Sequence, residues 1–277
     1  MNEAALNPQN WEAFLQLELR AAEDKTRLVP IKRYGPLSVQ RPFYPEKDCC
    51  HVYLLHPPGG VVGGDKLDLQ LDIKNQARAL FTTPGATKFY LSATDTARVN
   101  QQFKVGAGAQ LEYLPMENIY FPGALVRSKT SLSVQPDSKF ILWEKHCFGR
   151  PANQEFFAEG ELVSEIVLHQ EQQLIFTEKQ RIDANELNRA SGLRGNPVMG
   201  SLLVYGDNLD ASTIKNLREI TPQDGISGIT QLLPELLIAR YMGKSTQDIN
   251  AYFVRLWQLL RPALIQRDAC HPRIWNT

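Results

Sequence analysis

Four stretches decide the fold: IKNQARALFTT (73–83), VGAGAQLEYLP (105–115), VQPDSKFILWE (134–144) and LHQEQQLIFTE (168–178). Each opens on an aliphatic residue, crosses a short polar or glycine-containing turn and continues as an apolar strand. Their starts are 32, 29 and 34 residues apart. A unit that recurs at such a period cannot bury its apolar face alone and stacks on its copies. The expectation is four similar hairpins laid side by side: a mainly β protein with a β-helical, solenoid-like architecture. Chance likeness among ordinary hairpins is the competing reading, because short β patterns are degenerate.

Strand register adds to the repeat, since residues two apart share a face. On the second strand of each unit the sets are Ala77, Ala79, Phe81, Thr83; Ala109, Leu111, Tyr113, Pro115; Ser138, Phe140, Leu142, Glu144; and Gln172, Leu174, Phe176, Glu178. Their apolar centres predict an inward face, and Glu144 and Glu178 end on it. An inward carboxylate is costly unless it meets water, a partner or a cation. These two glutamates are therefore candidates to line a wet internal site. The plainer alternative is that both sit at strand ends and reach solvent.

The flanking sequence extends the β reading. Apolar residues alternate at Ala13, Leu15, Leu17, Leu19 and Ala21, again through LDLQLDI (67–73), and at Ala97, Val99, Phe103 and Val105 with Gln101 between them. The last third changes character. Ser245 caps a predicted helix with Asp248 in its first turn, carried by Ile249, Phe253, Leu256 and Leu260 up to Pro262. A second helix is predicted over 231–242 with Pro234 in its first turn, and 185–196 reads as a mobile loop. The expected organisation is one unit over 1–277, β-rich to 183 and more helical over 197–277, with a few α-helices mainly in the C-terminal third.

Composition narrows the function classes. Hydrophobic residues are 43% and charged residues 22% of 277, values of an ordinary globular chain and not of a disordered one. Thirty basic residues balance thirty acidic ones. A nucleic-acid binder would normally carry a basic excess. No run approaches the roughly 20 apolar residues of a membrane helix. The start, MNEAALNPQNWEAF, lacks the pattern of a secretory signal, and four cysteines at 49, 50, 147 and 270 form no disulfide framework. The expected setting is the cytoplasm.

HPPGGVVGGD (56–65) puts four glycines in six residues, which demands tight turning or close backbone approach. Asp65 stands where a P-loop would begin its lysine and hydroxyl pair, so nucleotide binding is rejected. The segment either presents Asp65 to a partner or ion, or is simply a turn into the next strand. Cysteine and histidine are neighbours at Cys50-His51, His146-Cys147 and Cys270-His271. Imidazole and thiolate suit zinc, copper or nickel, but the spacing is not that of a structural zinc site. Transient metal passage needs fewer ligands. Glu144 and Glu178 could alternatively pair as acid and base of a β-solenoid hydrolase, although no aromatic cluster for stacking sugars lies near either.

CHVYLLHPPGGVVGGD (50–65), TTPGATKFY (82–90), LEYLP (111–115) with ENIYF (117–121), WE (143–144) with GRP (149–151), and PRIW (272–275) together resemble the urease accessory protein UreD (UreH) family. The likeness runs over nearly the whole chain, and the two longest motifs are its most specific. It implies a non-enzymatic chaperone that binds apo-urease, recruits UreF and the GTPase UreG, and assists nickel insertion into the urease active site. It also implies a largely β, helical-type stack, and leaves room for a homodimer within the accessory complex. The family's polar tunnel maps here onto Asp65, Thr83, Thr87, Glu144 and Glu178, with nickel in transit at Asp65, Glu144 and Glu178 and no stable cofactor. The sequence after WE is Lys145-His146-Cys147 where small or apolar residues are expected, so His146 is a further candidate ligand. Cys50 and His51 belong to the family pattern without an assigned role, and Cys49 and Cys147 have none. An adaptor with no ion path is the remaining alternative.

Overall fold

The computed structural model describes residues 11–207 and 209–276; residues 1–10, most of the stretch read above for a secretory signal, lie outside them. Strands are numbered in chain order. One sheet runs β15 (Gln173–Asp183), β14 (Glu161–Gln170), β11 (Leu125–Val134), β8 (Ala97–Val105), β5 (Lys66–Ile73), β1 (Glu12–Ala21) and β2 (Thr26–Tyr34). The larger sheet runs β17 (Ile226–Leu233), β18 (Leu236–Gly243), β16 (Val198–Tyr205), β12 (Lys139–Arg150), β9 (Gln110–Tyr113), β6 (Arg78–Thr82), β4 (Cys50–Leu55) and β3 (Ser38–Val39). Short strand β7 (Thr87–Phe89) pairs with β10 (Asn118–Tyr120), and β10 with the far half of β12, forming a third face, while β13 (Glu155–Phe156) closes back on the end of β12.

The result is a β-solenoid of about four turns. The repeat units, however, are not hairpins side by side. In the first three, the two strands belong to opposite sheets and each pairs in parallel with its counterparts in the neighbouring turns, β5 with β8 with β11 and β6 with β9 with β12. The turn is an arch. It has the same geometry each time: Ala77, Ala109 and Ser138 donate to the carbonyls of Lys74, Gly106 and Gln135, and the residue before each donor, Gln76, Gly108 or Asp137, has positive φ. At Gly108 a β-carbon would lie 2.1 Å from the end of the Gln76 side chain in the preceding turn, so glycine eases both the positive φ and the close approach there. Only the fourth unit is a hairpin, β14 with β15 antiparallel, carrying a register shift at Leu168/His169. That shift and the position of β15 at the sheet edge leave Leu174 exposed and not inward as expected.

Three apolar clusters fill the molecule. Leu71, Phe103, Leu132 and Leu168, in register on one sheet, and Phe81, Tyr113, Leu142 and Ile238, in register on the other, belong to one cluster between the sheets. A second cluster at the third-face end gathers Val126, Leu162, Phe148 and Met199. Here Phe89, Tyr120 and Phe148, one from each turn, stack at ring separations of 5.0 and 5.2 Å. The outer face of the larger sheet is covered by α2 (Ala211–Glu219) and α3 (Thr246–Ile265). Ser245 caps α3 as its sequence predicts, accepting from the amides of Gln247 and Asp248, and the helix continues three residues beyond Pro262. Ile249, Phe253, Leu256, Trp257 and Leu260 are buried beneath it; each contributes on the order of 1.5–3 kcal/mol.

Two local expectations are corrected. Residues 231–242 are no helix: they form the end of β17, the turn and most of β18 in the β17–β18 hairpin, with Pro234 in the turn. Leu236 and Ile238 face the inter-sheet core while Leu237, Ala239 and Tyr241 face the helices. A strand buried on both faces is a continuous apolar run, which periodicity cannot tell from a helix. The 185–196 segment starts as a short helix, α1 (Ala184–Asn188), capped by Asp183, and anchors Leu187 and Leu193 in the core. Among the described residues no helix is long and apolar enough to cross a membrane.

Candidate functional site

Between the inter-sheet cluster and the third-face cluster lies a polar layer. On the smaller sheet the inward positions at this level are, in register, Gln101, Thr130, Ile166 and Glu178, and one step along, Val99, Ser128, Ser164 and Gln180. On the larger sheet Glu144 faces Ser201, which faces Arg240. Parallel in-register stacking aligns these side chains across turns, so one polar position per strand becomes a row through the solenoid.

Glu144 is the centre of the layer and only 8% exposed. It accepts a 2.6 Å hydrogen bond from the Thr130 hydroxyl and a longer one, 3.5 Å, from Ser164. His146 Nε2 lies 3.6 Å away, and the other ring nitrogen is 2.9 Å from the Tyr120 hydroxyl. A neutral ring with its proton on Nε2 would accept from Tyr120 while turning that proton to the carboxylate. Burial, reinforced by the nearby Glu144 charge, pushes the Tyr113 and Tyr120 hydroxyls well up, so both remain protonated donors. Glu178 is bound by Gln180 at 2.9 Å and by the half-exposed guanidinium of Arg240.

Cavity shape follows the layer. A cavity of about 310 Å³ opens beside the 56–60 and 83–88 segments and reaches inward past Gln101, Tyr113, Asn118, Tyr120 and Ser128 to Glu144. Beyond Glu144 a void of about 10 Å³, room for about one water, is bounded by Ser164, Glu178, Gln180 and Ser201. Glu144 thus stands between the wide cavity, which also has many apolar residues in its lining, and the small void that His146 and Glu178 border. Thr83 and Thr87 line the wide end; the Thr83 hydroxyl donates to the Gly85 carbonyl at 3.0 Å and accepts from the Met116 amide at 2.9 Å. His56 lines it too, its pKa lowered by burial against a partly offsetting Asp65 charge.

Asp65 itself is not part of this lining. It is 2% exposed, and its two carboxylate oxygens accept the amides of Trp11 and Val62, each at 2.9 Å. Its role is to close the glycine-rich turn on the start of β5. Thr83, Thr87 and Glu144 line the wide cavity, Glu144, His146 and Glu178 border the small void beyond it, and Asp65 lines neither. Gln101 stands out in the sequence, whereas Thr130, Ser164, Ser201 and Arg240 do not. A signal for Thr130 and Ser164 was nonetheless present: each is a polar residue at an inward position of an otherwise apolar alternation.

A second buried carboxylate shows what full compensation looks like. Glu112 is 2% exposed and takes Nε and Nη2 of the fully buried Arg261 at 3.0–3.1 Å and the Trp257 indole at 2.6 Å. Glu144, of similar burial, has hydroxyls and an imidazole instead; among the described residues no lysine or arginine pairs with it. The donors around Glu144 are oxygens and one ring nitrogen, and among the described residues neither lining includes a cysteine. Such a set attracts a divalent cation without the grip of thiolates.

The chain matches the family profile described as UreD urease accessory protein over residues 12–276. It is 42% identical to the urease accessory protein UreD of Alcanivorax borkumensis, over 97% of this chain and 93% of that protein. It is 41% identical to the protein of the same name from Methylobacillus flagellatus, over 99% and 97%, and 39% identical to that of Pseudomonas putida strain GB-1, over 96% and 95%.

Proposed function

The chain belongs to the UreD family of urease accessory proteins, and on that premise we propose that it serves urease maturation as a scaffold whose polar layer conducts nickel. Nickel is the cargo. It enters at the wide cavity beside His56 and Thr87, meets hydroxyl, amide and phenol oxygens, passes the Glu144–His146 constriction, and leaves by Glu178 as Arg240 swings aside. Conduction needs sites that bind well enough to admit the ion and weakly enough to release it; single carboxylates separated by neutral oxygens meet that need. The observation that carries this reading is Glu144, a buried carboxylate without a fixed countercharge between the wide cavity and the small void. A buried charge without a partner is rare and costly, and a visiting cation gives it one.

In this reading apo-urease and UreF dock on the outside, UreG supplies GTP hydrolysis, and the chain works in the cytoplasm within that complex, where a second copy of it can be present. The void between Glu144 and Glu178 has room for about one water, which disfavours a hydrolase placing a sugar between them. The test is Glu144→Ala with Glu178→Ala, co-expressed with urease, UreF and UreG. The complex should still be captured intact while nickel per urease active site falls. Full nickel content in the double variant would leave an adaptor with no ion path.

A further inference from the structure

On the opposite side of the larger sheet, residues distant in sequence bring three different donors together. A carboxylate oxygen of Glu46, an imidazole nitrogen of His51 and the thiol of Cys270 all lie within 4.8 Å of one another. His51 is 1% exposed. It points away from the solenoid interior, since its neighbour Cys50 lies in the inter-sheet core. Glu46 belongs to the connection before β4, and Cys270 to the segment after α3. The sheet separates this cluster from the polar layer, and the two share no residue.

We propose that Glu46, His51 and Cys270 form a binding site for a late first-row divalent cation such as zinc, which clasps the segment after α3 to the strand β4. One thiolate, one imidazole and one carboxylate make a donor set of borderline softness, suited to zinc, cobalt or nickel and not to magnesium or calcium. Three protein ligands leave a fourth tetrahedral position for water. The local network accommodates the ion. Glu46 Oε1 already takes His51 at 2.5 Å and Arg261 at 2.7 Å, whereas Oε2 has only Arg267 at 3.9 Å and keeps a lone pair for a metal. On binding, His51 Nε2 gives up the proton it shares with Glu46, which moves to Nδ1 or to solvent, and turns its lone pair to the metal, while the thiol proton of Cys270, a partly exposed residue, passes to solvent. Ligand distances of about 2.0–2.3 Å require the cluster to contract, which Cys270 can supply from its irregular segment.

The clasp has something to hold. Past Cys270, Trp275 packs against Trp143 and Trp257 at 5.6 and 5.5 Å and donates to the Thr82 hydroxyl at 2.9 Å. His271 meets the edge of Trp257. A cation at Cys270 would fix this segment at its near end.

The experiment uses the full chain, stripped with chelator and titrated with Co²⁺ and then Zn²⁺. One equivalent of Co²⁺ should produce a near-ultraviolet thiolate-to-cobalt charge-transfer band, displaced by Zn²⁺, and Zn²⁺ should raise the melting temperature. Cys270→Ala should abolish the band and weaken zinc by more than about 100-fold, beyond what loss of a supporting outer group does. Because this change removes a single atom from an irregular segment, it should leave the fold intact, as checked by circular dichroism; His51→Asn provides a second ligand variant. The Glu144→Ala, Glu178→Ala variant should keep the band unchanged. A band that survives Cys270→Ala, an equal zinc-induced shift in both proteins, or a band lost in the Glu144/Glu178 variant would each overturn the site.

Discussion

Glu144→Gln separates charge from shape at the neck of the polar layer. The amide keeps an oxygen for the Thr130 hydroxyl, now 2.6 Å from the carboxylate, and fills the same space. Stability should therefore stay within about 1 kcal/mol of wild type, or rise, because a buried charge without a fixed partner is removed. The effect on a dication is of another size. A unit charge and a divalent ion about 4 Å apart attract by roughly 8 kcal/mol at an effective dielectric constant near 20. Most of that is returned as desolvation of both. If about a quarter survives, the barrier at the neck rises by about 2 kcal/mol and transfer slows roughly 30-fold. The assay is the initial rate of urease activation by the co-purified accessory complex at limiting nickel, with metal content read on the isolated urease. A urea melt of the variant chain serves as the stability control. Activation within about twofold of wild type, with full nickel, would refute the reasoning that the Glu144 charge guides the ion.

Two further outcomes test the structure itself. Arg261→Met strands Glu112, 2% exposed and left with one indole donor, so the urea midpoint should fall by the equivalent of about 3–5 kcal/mol; adding Glu112→Leu should recover most of it, and an additive loss would show the pair is not coupled. Burial pushes the Lys145 ammonium down to about 8, with Glu117 offsetting only part. The unfolded chain then binds more protons between about pH 8 and 10.5, so this residue makes stability rise with pH across that window, the full penalty standing below it. Lys145→Met should be more stable than wild type at pH 7, with the gap closing towards pH 10, and parallel stability profiles would refute the assignment.

The repeat at 73, 105 and 134 was legible because arch turns and stacked strands impose local patterns: an aliphatic residue, a turn, then inward alternation. What the pattern could not convey was the partner of each strand. A four-residue turn serves a hairpin or an arch equally well, and only non-local pairing decides, as it did for β14 with β15 against β5 with β6. Glu144 and Glu178 were reached by register because strand faces are periodic. Asp65 is harder to read: a buried carboxylate that accepts two amides looks, in sequence, like one offered to a ligand. The Glu46–Glu112–Arg261 network left no trace to read, since its members lie far apart in the chain and each is an ordinary charged residue until the fold unites them.

The antiparallel strands at the two rims of the smaller sheet, β2 beside β1 and β15 beside β14, have a further consequence. A stack of parallel coils ends in a rung that matches the start of the next stack, an invitation to endless end-to-end polymerisation. Reversing the outermost rung removes that match. At both rims of this sheet a further copy stacked end to end would thus meet a strand running the wrong way.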